Sequence, residues 1–281
     1  MGEAKRRRAE IERLKGLSPD EAAARRQEKE DETALRGGLD PQAATLGPAP
    51  VIAMARRLHA HFEQAKADGN VDDAVRYLYD KIDATIHGLK DVPIACGKGC
   101  SHCCVIAVTV SAPEALHLAR VITARGPEAL AKVRAAHAAT KAFDLVARDQ
   151  HPHDCAMLEN HACTIYENRP KACRQAASTD ALACERSNRG LTNEPVPSPA
   201  GYVGSRAAYA TALHAVLAEL ELPSESYEFN AALVRVFDTP DAEARWLAGE
   251  DIFAGVLREP PPPRMYADRI AFVRQRAFPA P

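Results

Sequence analysis

The chain carries eight cysteines in 281 residues, and all of them lie between Cys96 and Cys184. A distribution so confined marks a local device. The opening MGEAKRRRAEIERLK alternates charges where an export signal needs a continuous apolar run, so the sequence reads as cytoplasmic. In a reducing compartment clustered thiols hold metal or do redox work more often than they pair as disulfides. No stretch approaches the roughly 20 apolar residues of a membrane span. Lys and Arg number 36 against 38 Asp and Glu, and a net charge of -2 argues against a nucleic-acid partner.

Apolar periodicity predicts a mainly α protein, a helical domain with an irregular cysteine-rich metal-binding loop region. Three segments are expected: a charged helical N-terminal arm and linker over 1–49, a cysteine-cluster domain over 50–190, and a C-terminal helical extension over 191–281. Within the arm, 1–33 predicts a solvated amphipathic helix whose basic run Lys5, Arg6, Arg7 and Arg8 offers a surface to a protein partner. The Gly- and Pro-rich stretch 36–50 reads as a linker. Val51, Met54, Leu58 and Phe62, then Val71, Val75, Leu78 and Ile82, recur at helical spacing around Asp68-Gly69-Asn70 and predict an antiparallel helical hairpin. A short extended run is expected at 105–110. Ser111 and Glu114 form a capping box for a helix over about 112–125, and another should run from Glu128 towards Arg148. Ser178-Thr179-Asp180 caps a short helix containing Cys184. Further helices are expected over about 203–221 and 225–237, one opened by Thr239-Pro240, and a last one from Met265 to Ala277 docked by Ile270, Phe272 and Val273.

Cys96-x3-Cys100-x2-Cys103-Cys104 places four thiols within nine residues, so one fold of the loop brings several sulfurs towards the roughly 2.3 Å of a metal–thiolate bond. Gly97 and Gly99 permit the turns this needs. Cys103 and Cys104 are adjacent, so in regular backbone their sulfurs diverge and serve different roles. Cys155, Cys163, Cys173 and Cys184 are too widely spaced to form a knuckle alone and depend on tertiary folding to join the first group. Eight thiols then admit one cluster with reserves or a binuclear site. His102, His151, His153 and His161 lie among them and could replace a thiol as ligand. Four thiolates leave a divalent ion with net charge -2, which calls for nearby cations. Lys98, Arg169, Lys171 and Arg174 flank the cysteines, and a guanidinium from Arg169 or Arg174 is expected to tune the sulfurs.

CGKGCSHCC at 96–104, followed by Cys155-x7-Cys163-Thr164-Ile165-Tyr166-Glu167-Asn168-Arg169-Pro170-Lys171-Ala172-Cys173-Arg174, resembles the YkgJ-type cysteine-cluster family, described as a zinc- or iron-chelating domain. The resemblance covers roughly 90–175. It implies Cys96, Cys100, Cys103, Cys104, Cys155, Cys163 and Cys173 as ligands, with Cys184 as an addition. Related proteins are labelled iron-sulfur-containing, and flagellin lysine N-methylases look similar through the same cluster. The first three cysteines also have the spacing by which radical S-adenosylmethionine enzymes hold a cluster. This chain lacks the alternating strands and helices of their barrel.

Triple spacing with remote further cysteines tilts the expectation towards an iron-sulfur cluster over Zn, although soft thiolates accept either. The leading reading is a metal-binding protein with a structural or electron-carrying centre. The alternatives are a cluster-dependent enzyme related to the methylases, or a thiol-redox or metal-handling protein. Phosphate-binding Gly-rich loops, HExxH, a nucleophile elbow and a dinucleotide fingerprint are all missing from the sequence, which leans away from catalysis.

Overall fold

A computed structural model describes residues 17–37, 47–89, 92–97 and 99–279. It is mainly helical. Helix α1 (Pro19–Gly37) precedes an antiparallel hairpin of α2 (Pro48–Asp68) and α3 (Asp72–Gly88). Pro in the first turn opens α2, and Gly69 at φ +69 closes it in the left-handed region, where a side chain would be strained. The buried faces of the pair include Val51, Met54, Leu58, Phe62, Val75, Leu78 and Ile82, as the periodicity predicts.

After the first cysteine loop come β1 (Thr109–Ser111), α4 (Ala112–Thr123), α5 (Pro127–Thr140) and α6 (Leu145–Gln150). The capping box of Ser111 and Glu114 is present at the start of α4. One helix was expected over the α5–α6 region, and two form. Thr140 turns its hydroxyl back onto the Ala136 carbonyl at 2.8 Å, and Asp144 starts afresh by accepting from the Ala147 amide at 2.7 Å.

The second cysteine region holds the two-residue strands β2 (Leu158–Glu159) and β3 (Ala162–Cys163), a 3-10 turn at Tyr166–Asn168, α7 (Lys171–Arg174) and α8 (Ala181–Asn188). Beyond it lie α9 (Ala200–Glu219), β4 (Ser226–Glu228), α10 (Phe229–Asp238), α11 (Ala242–Leu247) and α12 (Arg264–Ala277). Strand β4 takes the place of the helix start expected at 225. It pairs antiparallel with β1, Val110 opposite Tyr227, joining residues far apart in sequence. In α12 Val273 and Ala277 are buried and Ile270 packs on the core, but Phe272 is 43% exposed beneath the Arg276 guanidinium rather than docked.

Helices α9 and α12 pack on α2, and one apolar core runs from Val51 to Ala277, drawing on both 50–190 and 191–281. Helix α1 is not simply solvated. It lies on α2, where Asp31, 5% exposed, meets Arg56 at 2.6 Å and Glu28 meets Arg57 at 3.1 Å. The basic run Lys5–Arg8 and most of the expected linker lie outside the described residues.

Candidate metal centre

The first cysteine loop is stitched to the second region at both ends. Near its start the Ala95 amide donates to the Ser178 carbonyl at 2.8 Å, and the Ser178 amide donates to Cys96 Sγ at 3.4 Å. At its end the Cys155 amide donates to the Cys104 carbonyl at 2.7 Å, and the His153 amide to that of Val105 at 3.0 Å. Between them Cys100 closes a turn on Gly97 at 3.0 Å, with Gly99 at φ +87 supplying the left-handed step. The β2–β3 hairpin sets Cys163 opposite Leu158, and Cys155 closes the turn into it through the Leu158 amide at 2.9 Å. Cys173 rides on α7 and Cys184 on α8, whose start Asp180 caps by accepting from Ala183 at 3.0 Å.

All eight cysteines are free; Cys184 is buried and the other seven are half-buried. Hydrogen bonds at Ser178 and Cys155 set the first loop against the second region, and several of the thiols act on one another electrically. Burial is the largest influence on Cys96, Cys155, Cys163, Cys173 and Cys184 and raises all five, Cys155 to about 11. Repulsion between would-be thiolates adds to it. Cys96 is raised by Cys100, Cys184 and Cys103, whereas Cys173 is raised by Cys155, Cys103 and Cys163. Residues 102–105 form turns rather than regular backbone, with the Cys104 amide donating to the Ser101 carbonyl at 2.9 Å. The adjacent thiols act on each other, which lowers Cys103 to about 6 and pushes Cys104 up.

Arg169 is a cation that acts on several of these thiols. Its charge lowers Cys103, Cys163 and Cys173, its guanidinium lies 4.0 Å from the Tyr166 ring centre, and its Nε is buried without a hydrogen-bond partner. Arg174 does something else. It is 5% exposed, pairs with Asp83 on α3, donates to the carbonyls of Glu167 and Arg169, and lies 4.2 Å from the Tyr79 ring centre. It fastens the Cys163–Cys173 stretch to the helical hairpin. Lys171 is spent on Glu114, its Nζ meeting that carboxylate at 3.3 Å. Lys98 lies outside the described residues.

Two positioning residues escape a reading of the sequence. Glu114, fully buried, accepts from the Ser111 amide and hydroxyl at 3.1 and 2.7 Å, as its capping box requires. It also accepts from the Lys171 amide at 2.7 Å and the Tyr79 hydroxyl at 3.3 Å, so it fixes the first residue of the helix that carries Cys173. His117, 1% exposed, stands between Asp72 at 2.6 Å and Asn168 at 3.2 Å and holds the 3-10 turn against α3 and α4. Helical spacing marks both as inward-facing, but nothing local names their distant partners.

Of the four histidines among the thiols, His151 stacks on Phe143, His153 keeps Nδ1 at 2.9 Å from the Asp154 carbonyl, and His161 meets Ser101 at 3.3 Å. Nδ1 of His102 is buried without a partner. Among the described residues no group of three or more Cys, His, Asp or Glu is already arranged to hold a metal ion. The donor set nevertheless fits zinc or iron chemically: the thiols are all free, and the buried Nε of Arg169 and Nδ1 of His102 in the same region have no hydrogen-bond partner.

Comparison with known families matches residues 95–193 to the CxxCxxCC family, described as a putative zinc- or iron-chelating domain. The matched span takes in all eight cysteines and supports metal binding through cysteines. The α2–α3 hairpin and the helices from α9 onwards lie outside it. No curated protein and no solved structure matches the chain.

Proposed function

We propose that this chain is a metal-binding protein whose clustered cysteines hold zinc or an iron-sulfur cluster in a structural or electron-carrying role. The observation that carries the reading is the match of residues 95–193, which hold all eight cysteines, to a zinc- or iron-chelating family, in a chain whose first cysteine loop is hydrogen-bonded to the second cysteine region at Ser178 and at Cys155. Unlinked thiols gain nothing from being gathered in this way, because each raises the cost of ionising the next. A bound cation reverses that cost and, when present, supplies cross-links between loops that have little regular structure of their own.

The chain's own residues prepare for this. The Ser178 amide points at Cys96 Sγ, a donor suited to a sulfur that carries charge. Arg169 offsets part of the negative charge several thiolates bring together. Glu114 and Arg174 hold the Cys173 segment against the helical hairpin from behind. A structural role is favoured by where the thiols sit, since they join turns and two-residue strands to one another and to a preformed helical body.

Anaerobic purification followed by metal and sulfide analysis and a visible spectrum tests the reading. Brown protein with stoichiometric iron and sulfide identifies an iron-sulfur centre. Colourless protein carrying zinc identifies a structural site and removes electron transfer. Protein that takes up neither metal, with its cysteines reduced, refutes the reading.

A further inference from the structure

A cleft of about 760 Å3 opens in the helical body, and none of the eight cysteines lines it. One side is α10, the second is the C-terminal end of α5 with His137, Thr140 and Lys141, and the third is the irregular stretch 251–258. Glu228, which caps α10, recurs with Ala231, Arg235 and Asp238 at three- to four-residue spacing, so these share the stripe of the helix that runs along the cleft. The volume is in the range of small-ligand sites, roughly 300–1,000 Å3.

Charges of both signs line this cleft, yet they do not pair with one another. Asp238 is spent on Arg134 at 2.6 Å and Arg258 on Glu225 at 3.3 Å, both partners lying outside the lining. Four charged groups remain without an ion pair among the described residues. Half-buried Arg235 donates only to the backbone carbonyls of Ile252 and Ala254, at 2.6 and 3.0 Å, and the Lys141 ammonium meets no partner there. Glu228, 4% exposed, accepts only from the Ala231 amide and the Asn230 side chain, at 2.7 and 3.1 Å, and Asp251 only from the Phe253 amide at 3.1 Å. A buried carboxylate and a half-buried guanidinium that meet only neutral groups are poorly compensated, and a ligand bringing the opposite charges relieves both. Nδ1 of His137, on the same lining, is buried without a hydrogen-bond partner, which leaves a polar atom for that ligand to satisfy.

We infer that this cleft binds a short peptide with free termini, its ammonium at Glu228 and its carboxylate at Arg235. Positions 228 and 235 are separated by about 10 Å along the helix axis at roughly 1.5 Å per residue. Extended chain covers roughly 3.3–3.6 Å per residue, so about three residues span that interval, whereas a free amino acid holds its two charges too close together to engage both. Exposed Lys141 and Asp251 add one charge of each sign at the rim. Ala231, Val234, Val256 and Leu257 offer apolar surface to small aliphatic side chains, and His137 Nδ1 can bond to the peptide main chain in either tautomer.

Isothermal titration calorimetry of the full chain with trialanine and with alanyl-leucyl-alanine, each beside its N-acetylated and its C-amidated form, tests the assignment. At least one free peptide should bind with a dissociation constant below about 1 mM, and blocking either terminus should weaken it about tenfold or more. Glu228→Gln keeps an acceptor for the Ala231 amide while removing the charge, and should abolish the preference for the free amine over the acetylated form. Lys141→Ala, at an exposed position, should weaken the free peptide about threefold or more with the helical content unchanged by far-ultraviolet circular dichroism. Absence of binding by both free peptides at about 10 mM, or equal binding of free and blocked forms, overturns the assignment. Those comparisons use the unaltered protein, so they decide the matter even if Glu228→Gln fails to fold, and neither outcome bears on metal binding.

Discussion

Glu114 illustrates how one residue can serve a local and a distant purpose at once. Burial opposes its charge, and the Lys171 ammonium, the Lys171 amide and Ser111 together overcome that opposition and lower it. Glu114→Ala removes the partner of a nearly buried lysine and strips a capping box, for which about 3–5 kcal/mol of lost stability is expected. Urea denaturation measures it, and a change within experimental error would show that the carboxylate is dispensable. Asp72 gives a pH signature. Burial opposes its charge too, but hydrogen bonds from His117 and Arg120 outweigh this and hold its carboxyl at about 2, below the ordinary 3.8. A carboxyl lowered on folding stabilises the fold above its unfolded value and loses that contribution as pH falls through the folded one. The unaltered protein should therefore exceed Asp72→Asn by on the order of 1–2 kcal/mol at pH 6, and the difference should vanish between about pH 4 and pH 2. Denaturant midpoints of the two proteins across that range decide the matter. A sequence shows Ser111 and Glu114 at capping distance, but not that Glu114 also meets Lys171, 57 positions further on.

Among the elements, the long helices were legible because their apolar faces repeat every three to four residues. The α2–α3 hairpin, α4, α8, α9 and α12 lie where the pattern puts them. The break between α5 and α6 was not, because Thr140 and Asp144 act through hydroxyl and carboxylate bonds that leave hydrophobic spacing undisturbed. Strands β1 and β4 are three residues each, too short for a period of two to fix their bounds: the extended run expected at 105–110 overlaps β1 only at 109–110, and β4 takes its place from pairing with β1 and with Arg258. The cap of α8 was legible, and it positions Cys184. Asp180→Ala should cost about 1 kcal/mol and lower the melting temperature by about 2–4 °C. Amide exchange within 181–188 should quicken more than exchange in α9. Uniform change across both helices would argue that α8 has no separate stability of its own.

Over the whole molecule, metal should matter unevenly. The helices around α2, α3 and α9 share a continuous apolar core and owe their order to it. The cysteine loops rest on a handful of backbone hydrogen bonds and on whatever joins their sulfurs. Removing metal with a chelator is expected to speed amide exchange over 92–104 and 153–174 by tenfold or more, about 1.4 kcal/mol of local stability, while α2 and α3 keep their protection. Exchange measured by mass spectrometry reads both regions in one experiment, and equal loosening of the hairpin would refute the division.

The sequence by itself determined that the protein is mainly helical and that its cysteines are confined between Cys96 and Cys184, because helical periodicity and residue identity are properties of neighbours along the chain. Only the tertiary structure decided that Arg174 is spent on Asp83 and backbone carbonyls while Arg169 keeps a buried Nε without a partner, and that Ser178 and Cys155 tie the two ends of the first loop. Those outcomes depend on which distant groups the core brings within a few ångströms, and hydrogen bonds and charges act over that distance whatever the separation in sequence.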